Sequence, residues 1–497
     1  MNTEQALLTL KRNREVLFAL RHAASILGID GETVAPSGSA ATRAKTMGEI
    51  SRMTYDLVTD KEASAALEYL FEHRDELDPV DRRNVSELYR HLDDTRKIPK
   101  EEAAAFSMLL AESSAVWHEA KIKSDFALFE PYLEKVFDGM KKRASRLDPE
   151  RDPYDVTMDR FERALNTAKC DAFFGELKPR LAPLVAKIRK SEQIDDGPVV
   201  SLFTVEEQRK ISDFAMDFLR LDRRYCSLGE TEHPFMAAVD KHDVRIHTHY
   251  YAENFLYSMY SVIHEGGHAL YELHIGNELQ GTSLAGGCSM ALHESQSRFF
   301  ENYVGRSRPF TDRLHDFLTK TFPGRIDSVS KDDFYRMVNK AGPSLIRTEA
   351  DELTYSLHVM IRYDLERRIF DGSLAVHDLP KEWNRLYGEA LGLDVPDDRR
   401  GVLQDSHWSN ANIGYFPSYA LGSAYGAQYL AEMKKSFDPL KAVESGDLTP
   451  VENWLEDKIW RHGKMLDPAD LFRSVCGAFD PSVYADYLET KFNALYN

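Results

Sequence analysis

The chain has 497 residues, 43% of them hydrophobic and 29% charged, with only 27 glycines and 20 prolines. That composition excludes a disordered, collagen-like or disulfide-scaffold protein and leaves ample length for a buried core. The 63 Lys and Arg against 81 Asp and Glu give a net charge of −18, the wrong sign for a general nucleic-acid or anionic-membrane surface. Cys170, Cys226, Cys288 and Cys476 lie more than fifty positions apart, so no CxxC pair offers a zinc ribbon or a thioredoxin-type motif. The opening MNTEQALLTLKRNREVL lacks the apolar core and cleavage site of a signal peptide. No stretch approaches the roughly 20 apolar residues of a membrane span. A cytoplasmic protein with reduced thiols, no membrane partner and no nucleic-acid partner is expected.

In chain order, helical periodicity dominates. Leu10, Leu17, Leu20, Ala24 and Leu27 form one apolar stripe that the pattern ends at Gly28 as a cap. Asp60 caps the run KEASAALEYLFEHRDEL, and Pro99 opens a run through Trp117. Segments near 82–96, 130–146 and 160–190 read as helices too. The loop 194–199 (IDDGPV) is the clearest break, after which Thr204 and Glu207 form a capping box for a helix over 205–221. In DVRIHTHY (243–250), Val244, Ile246 and Thr248 alternate with Arg245, His247 and His249. Period two predicts a strand with an imidazole-rich face, which by itself fits an edge strand. The fold expected is mainly α with a small β-sheet near 235–250.

Eight of the 17 histidines fall between His233 and His293, where about two would fall by even scatter. Within that window, HEGGH runs from His264 to His268 inside the apolar segment NFLYSMYSVIHEGGHALYELH. Residues four apart on a helix project only about 40° apart, so both imidazoles can reach one ion. Glu265 projects roughly 100° from His264 and roughly 60° from His268, near the ion but not beside them as a third ligand, and is left free to take a proton from metal-bound water. Gly266 and Gly267 each cost a helix about 1 kcal/mol relative to Ala, a cost that makes sense where another group approaches closely. Two histidines leave an ion under-coordinated. Glu294, in the helical run MALHESQSRFFENYVG, is the best third ligand, with His293 and His274 as competitors. A His–His–carboxylate set with water is the arrangement of zinc peptidases.

HEGGHALYE followed by GTSLAGGCSMALHESQSRFFENYVGRS resembles the thermostable metallocarboxypeptidase family named after carboxypeptidase Taq. Other signatures of that family stand in the same order: IDGETVAP (29–36), HPF (233–235), DVRIHT (243–248), HESQ (293–296), IRTEAD (346–351), GVLQDSHW (401–408) and GYFPSY (414–419). The resemblance spans essentially the whole chain. Departures are Ile29 for the usual Trp, HEGGH where HEAGH is commoner, and His247 at the Thr position of DxRxT.

The resemblance implies one catalytic domain over 1–497, with approximate lobes 1–195 and 200–497 around a deep cleft, as in neurolysin and angiotensin-converting enzyme. It implies a homodimer, one zinc or cobalt ion per chain, and removal of single residues from peptide C-termini with broad specificity and poor cleavage at C-terminal Pro. Carried over by position, His264, His268 and Glu294 are the metal ligands and Glu265 is the general base and acid. Similarity to related peptidases nominates His407, Tyr415 and Tyr419 as donors to the developing oxyanion. A free C-terminal carboxylate calls for arginine, whose planar fork binds it bidentately. Arg347 and Arg245 are the candidates, with an Arg347–Asp351 pair four apart on a helix as the structural alternative. Asp351, Gln404 and Asp405 are candidates for orienting ligands from behind. The same metal site also serves endo-oligopeptidases, the second enzymatic reading. A helical binding scaffold with an inert site is the non-enzymatic one, and the intact ligand set opposes it.

Overall fold

In the computed structural model, which describes residues 1–200 and 202–496, helices carry most of the chain. The first is α1 (Thr3–Thr33), capped by Asn2 and Gln5 in a reciprocal box. It runs straight through Gly28, which does not cap it, because the position faces open space and the missing side chain strains nothing. Next come α2 (Ala40–Val58), α3 (Lys61–Glu72), α4 (Pro79–Lys97), α5 (Lys100–Lys123) and α6 (Phe126–Leu147). The Asp60 side chain caps α3 by accepting from the Ala63 amide, as its position predicts. The short α7 (Pro153–Met158) precedes α8 (Thr167–Ile188). The helix expected from 160 begins only at 167, where Asn166 caps it. The expected break at 194–199 holds a single helical turn, α9 (Gly197–Val200), before α10 (Val205–Phe218) with its Thr204–Glu207 box intact.

Three strands follow: β1 (Cys226–Glu230), β2 (Phe235–Asp240) and β3 (Asp243–Thr248). Their order is β1-β3-β2, with β1 parallel and β2 antiparallel to β3. The imidazole-bearing strand is therefore central rather than an edge. Val244 and Ile246 are fully buried on one face. On the other, the His247 ring stacks on Phe235, centroids 4.3 Å apart, and a Cβ on Gly229 would collide with it.

The second half supplies α11 (Phe255–Leu273), α12 (Met290–Arg298), α13 (Arg308–Thr321), α14 (Lys331–Val338), α15 (Tyr355–Phe370), α16 (Leu379–Ala390) and α17 (Phe416–Met433). α18 (Pro439–Ser445), α19 (Thr449–Lys458), α20 (Pro468–Cys476) and α21 (Pro481–Leu495) close the order. One apolar core extends from Ala120 to Tyr496, and a second, small one is built by α1, α3 and α4 around Leu10, Leu67, Leu70 and Val85. Among the described residues, no helix is long and apolar enough to cross a membrane.

Candidate metal centre

α11 is buried almost all round, packed against α10, α12 and β3. Apart from Leu256 and Leu273 near its ends, the exception is one half-buried stripe, Tyr257, Ser261, His264, His268 and Glu272, spaced four, three, four and four. That spacing keeps polar groups on a single helix face while the rest of the helix faces core. Glu265, beside the stripe, is 8% exposed.

α12 lies across this face, and Gly267 is what admits it. A Cβ there would stand 2.6 Å from the Gln296 carbonyl oxygen and 2.7 Å from the Ser297 Cα. On its other side α12 packs on α17, where a Cβ on Gly422 would meet the Glu294 side chain at 2.6 Å. Held between these two glycines, Glu294 turns one carboxylate oxygen toward both imidazoles, 3.8 Å from His264 Nε2 and 3.6 Å from His268 Nε2. One donor atom from each of the three residues lies within 4.8 Å of the other two. Donors about 2.0–2.2 Å from a tetrahedral ion stand about 3.3 Å apart, so the two imidazole–carboxylate distances are within a few tenths of an ångström of the separation an ion would impose. Two imidazoles and a carboxylate are the donors zinc takes. His293 and His274, the competing ligands, stand outside the cluster. His293 bridges to Glu272, and His274 bonds the Leu270 carbonyl and packs on Trp460.

The far nitrogens of both imidazoles are occupied. His264 Nδ1 meets Glu301 at 2.8 Å, and His268 Nδ1 meets His293 Nδ1 at 2.6 Å. Glu301 sits on a π-helical turn, Phe299–Val304, that continues α12. Arg298 donates to Glu294 at 2.7 Å and to Glu301 at 3.1 Å, fixing the two carboxylates together. Burial opposes ionisation of Glu301, but Arg298, His264 and Arg306 outweigh it and hold the carboxyl down to about 2. The Glu265 carboxyl, pushed up to about 7 by burial, accepts no hydrogen bond among the described residues. Sequence reasoning missed Glu301 and Arg298. Their spacing of seven and four from Glu294 was the available signal.

A second cluster adjoins the first. The Arg298 guanidinium lies over the Tyr355 ring at 4.1 Å, and the Tyr355 hydroxyl accepts from Arg347 at 2.8 Å. Arg347 is 5% exposed and donates from Nε and Nη2 to Asp405, whose other oxygen takes Arg362. Burial opposes the Asp405 charge, but the two arginines outweigh it and keep that carboxyl well below the usual carboxylate range. The alternative Arg347–Asp351 helical pair does not form; Arg347 pairs with Asp405 instead. Residues 347–349 are a 3-10 turn, and Asp351 caps the segment ahead of α15 through the Leu353 and Thr354 amides.

Tyr419 lies under Arg347 at 4.9 Å, edge-on to Tyr415 at 4.9 Å, and its hydroxyl stands 3.1 Å from His407 Nε2. Tyr415 and Tyr419, one turn apart, are the half-buried face where α17 begins. Burial, with Arg347 nearby, lowers His407 to about 4, and its Nδ1 has no partner among the described residues. The structure thus gathers His407, Tyr415, Tyr419 and Arg347 beside the candidate metal site. Arg245 is different. Its fork closes on Asp243 of its own strand, both bonds 2.7 Å, and among the described residues no contact ties it to the cluster.

Against known proteins, the family described as Carboxypeptidase Taq (M32) metallopeptidase matches residues 9–492. The chain is 36% identical over 477 residues to Carboxypeptidase 1 of Bacillus subtilis (strain 168), covering 95% of each. It is 33% identical to Thermostable carboxypeptidase 1 of Thermus thermophilus, covering 99% of this chain and 98% of that one. The crystal structure of an M32 carboxypeptidase from Deinococcus radiodurans R1 superposes with a TM-score of 0.96 at 33% identity, covering 99% of both chains. With sequence and fold matching over nearly its full length, the chain belongs to the carboxypeptidase Taq family and is a metal-dependent carboxypeptidase.

Proposed function

We propose that the protein removes residues one at a time from peptides with a free C-terminus, with broad specificity and poor cleavage before a C-terminal Pro. In this reading His264, His268 and Glu294 hold one divalent ion, zinc in the first instance and cobalt as the alternative. The convergence of His264 Nε2 and His268 Nε2 on one Glu294 oxygen carries the reading, because the opposite nitrogens are tied back and only these atoms are left to ligate. The ion supplies Lewis acidity for the scissile carbonyl and for water. Glu265, without a competing protein partner, takes the proton of the attacking water and returns it to the departing amine. Tyr415, Tyr419 and His407 line the side where the oxyanion develops, and the two hydroxyls are its donors.

Arg347 reads the terminal carboxylate. Asp405 occupies its Nε edge and Tyr355 one Nη1 hydrogen, so the substrate takes the remaining Nη hydrogens of a fork already fixed in place. Arg245 is the weaker candidate, since Asp243 holds it away from this network. One catalytic domain working as a cytoplasmic homodimer completes the proposal. Four free cysteines fit a reducing compartment, and the dimer rests on the family resemblance alone.

The test is a metal assay with timed mass spectrometry of one unblocked peptide and its C-terminal amide. One ion per chain, a ladder of single C-terminal losses and a far slower amide are expected. Internal fragments appearing first, at equal rates from acid and amide, would establish the endo-oligopeptidase reading instead.

A further inference from the structure

The two imidazoles are supported by different chemistry. His264 rests directly on the Glu301 carboxylate, 2.8 Å away. His268 reaches its carboxylate only through a second imidazole: Nδ1 to His293 Nδ1 at 2.6 Å, then His293 Nε2 to Glu272 Oε1 at 2.9 Å. Glu272 stands one turn beyond His268 on α11, and its Oε1 also accepts the Gly287 amide at 2.8 Å. The His293 ring is closely packed. A Cβ on Gly287 would lie 2.4 Å from its Cδ2, and Tyr271 packs on it with centroids 5.2 Å apart.

We propose that Glu272 and His293 are positioning residues that fix the His268 tautomer through a two-bond relay. Resting on the ligand set above, the inference extends it one residue further on each side. A neutral imidazole carries one N–H and one lone pair. The carboxylate of Glu272 is an acceptor, so His293 carries its hydrogen on Nε2 and shows Nδ1 as a lone pair. That lone pair accepts only if His268 is protonated on Nδ1. His268 Nε2 is then the lone pair, aimed at the Glu294 oxygen and open to an ion. Reversing either tautomer puts a hydrogen on His268 Nε2, where it blocks ligation. The relay therefore sets metal affinity without touching substrate.

The experiment measures zinc affinity by chelator competition and the visible spectrum of the cobalt form. The melting temperature of the metal-free form is recorded for the full chain and for His293→Leu, Glu272→Leu, His293→Asn and His268→Ala. The leucine variants should bind zinc about 10- to 100-fold more weakly, the usual effect of losing an outer-shell partner, with the metal-free melting temperature little changed. His293→Asn should stay within about threefold of the parent, because its amide oxygen replaces the Nδ1 acceptor that faces His268. Parent affinity in His293→Leu, or equal loss in His293→Asn and His293→Leu, would overturn the relay. If His293→Leu does not fold, Glu272→Leu against His293→Asn decides it, since the relay requires the first to be weak and the second strong. His268→Ala keeps the two questions apart: retained zinc there would refute the ligand set, whereas lost zinc there with full affinity in the leucine variants would refute the relay alone.

Discussion

Replacing Gly267 by alanine should damage the metal site more than replacing Gly266, although both add one methyl to the same helix. Alanine in place of glycine favours a helix interior by about 1 kcal/mol, so on propensity alone both changes should stabilise. The neighbours decide otherwise. At 267 the new Cβ would stand 2.6 Å from the Gln296 carbonyl oxygen and 2.7 Å from the Ser297 Cα, about 0.8 and 0.7 Å inside the 3.4 Å at which ordinary contact begins. Both obstacles are backbone of the helix that carries Glu294, so relief requires the two helices to separate. At 266 the nearest atom, at 2.3 Å, is the Cδ1 end of Leu219, which can rotate away.

A separation of about 0.7 Å exceeds the roughly 0.5 Å within which a binding constellation has to be held. Gly267→Ala should therefore lose about 10- to 100-fold in zinc affinity, a loss of the size seen when the support of a ligand is removed. Overpacking costs typically 1–3 kcal/mol, so the propensity gain leaves a net destabilisation of at most about 2 kcal/mol. Gly266→Ala recreates the HEAGH form commoner in the family and should bind zinc within a few-fold of the parent. Chelator competition on both variants, alongside melting of the metal-free forms, measures the contrast. Equal affinity in the two would show that interhelical distance does not control the site.

Glu265→Gln should keep its metal and fold while losing on the order of 10²–10⁴ in turnover; a variant retaining most of its activity would remove Glu265 from the chemistry. Arg347→Lys should lower kcat/KM on a free-acid peptide at least about tenfold, because a point charge replaces neither the fork nor its bond to Asp405, and the acid-over-amide preference should shrink with it. An unchanged preference would make Arg347 purely structural. Glu162, 3% exposed, is pushed up to about 7 by burial although it accepts the Ala291 amide. Its folded pKa lies above the unfolded value of about 4.3, so the folded state binds the extra proton and stability falls as pH rises from about 4 to about 7. Glu162→Gln should flatten that fall by up to about 3 kcal/mol in denaturant melts at pH 5 and pH 8. A pH dependence equal to the parent's would show that Glu162 ionises normally in the fold.

The sequence spelled out what local spacing encodes. HEGGH places two imidazoles on one face because four residues make about a turn, and the capping signals at Asp60 and Thr204 name their helices because the orphan amides lie within three residues. Partner choice across the chain was not legible in the same way. Arg347 and Asp351 have helical spacing, yet Gly342 and Pro343 precede them and the chain there makes only a 3-10 turn, so Arg347 turns to Asp405. The signal was present in Asp351–Thr354, a capping pair ahead of α15 whose carboxylate was already committed to local amides. Gly28 misled in the opposite sense. On an exposed helix a glycine with nothing near it costs propensity without ending the helix.

Glycine in a buried helix carries more information than glycine on a surface. Gly267 drew attention in the sequence because a helix that could have taken alanine gave up stability there. The same reasoning applies to Gly422 in YALGSAYGAQYL, an apolar run where no turn is needed. Both point at the same object. A Cβ on Gly267 would strike the α12 backbone, and a Cβ on Gly422 would strike the Glu294 side chain itself. Glu294, the proposed third ligand, is thus set between α11 and α17 by two absent methyl groups, one near each end of the sequence region that forms the candidate site. Motif spacing names the histidines, whereas the glycines of neighbouring helices record how closely the carboxylate approaches them. That closeness, more than the identity of the three ligands, separates a metal-binding site from two histidines and a glutamate that happen to share a core.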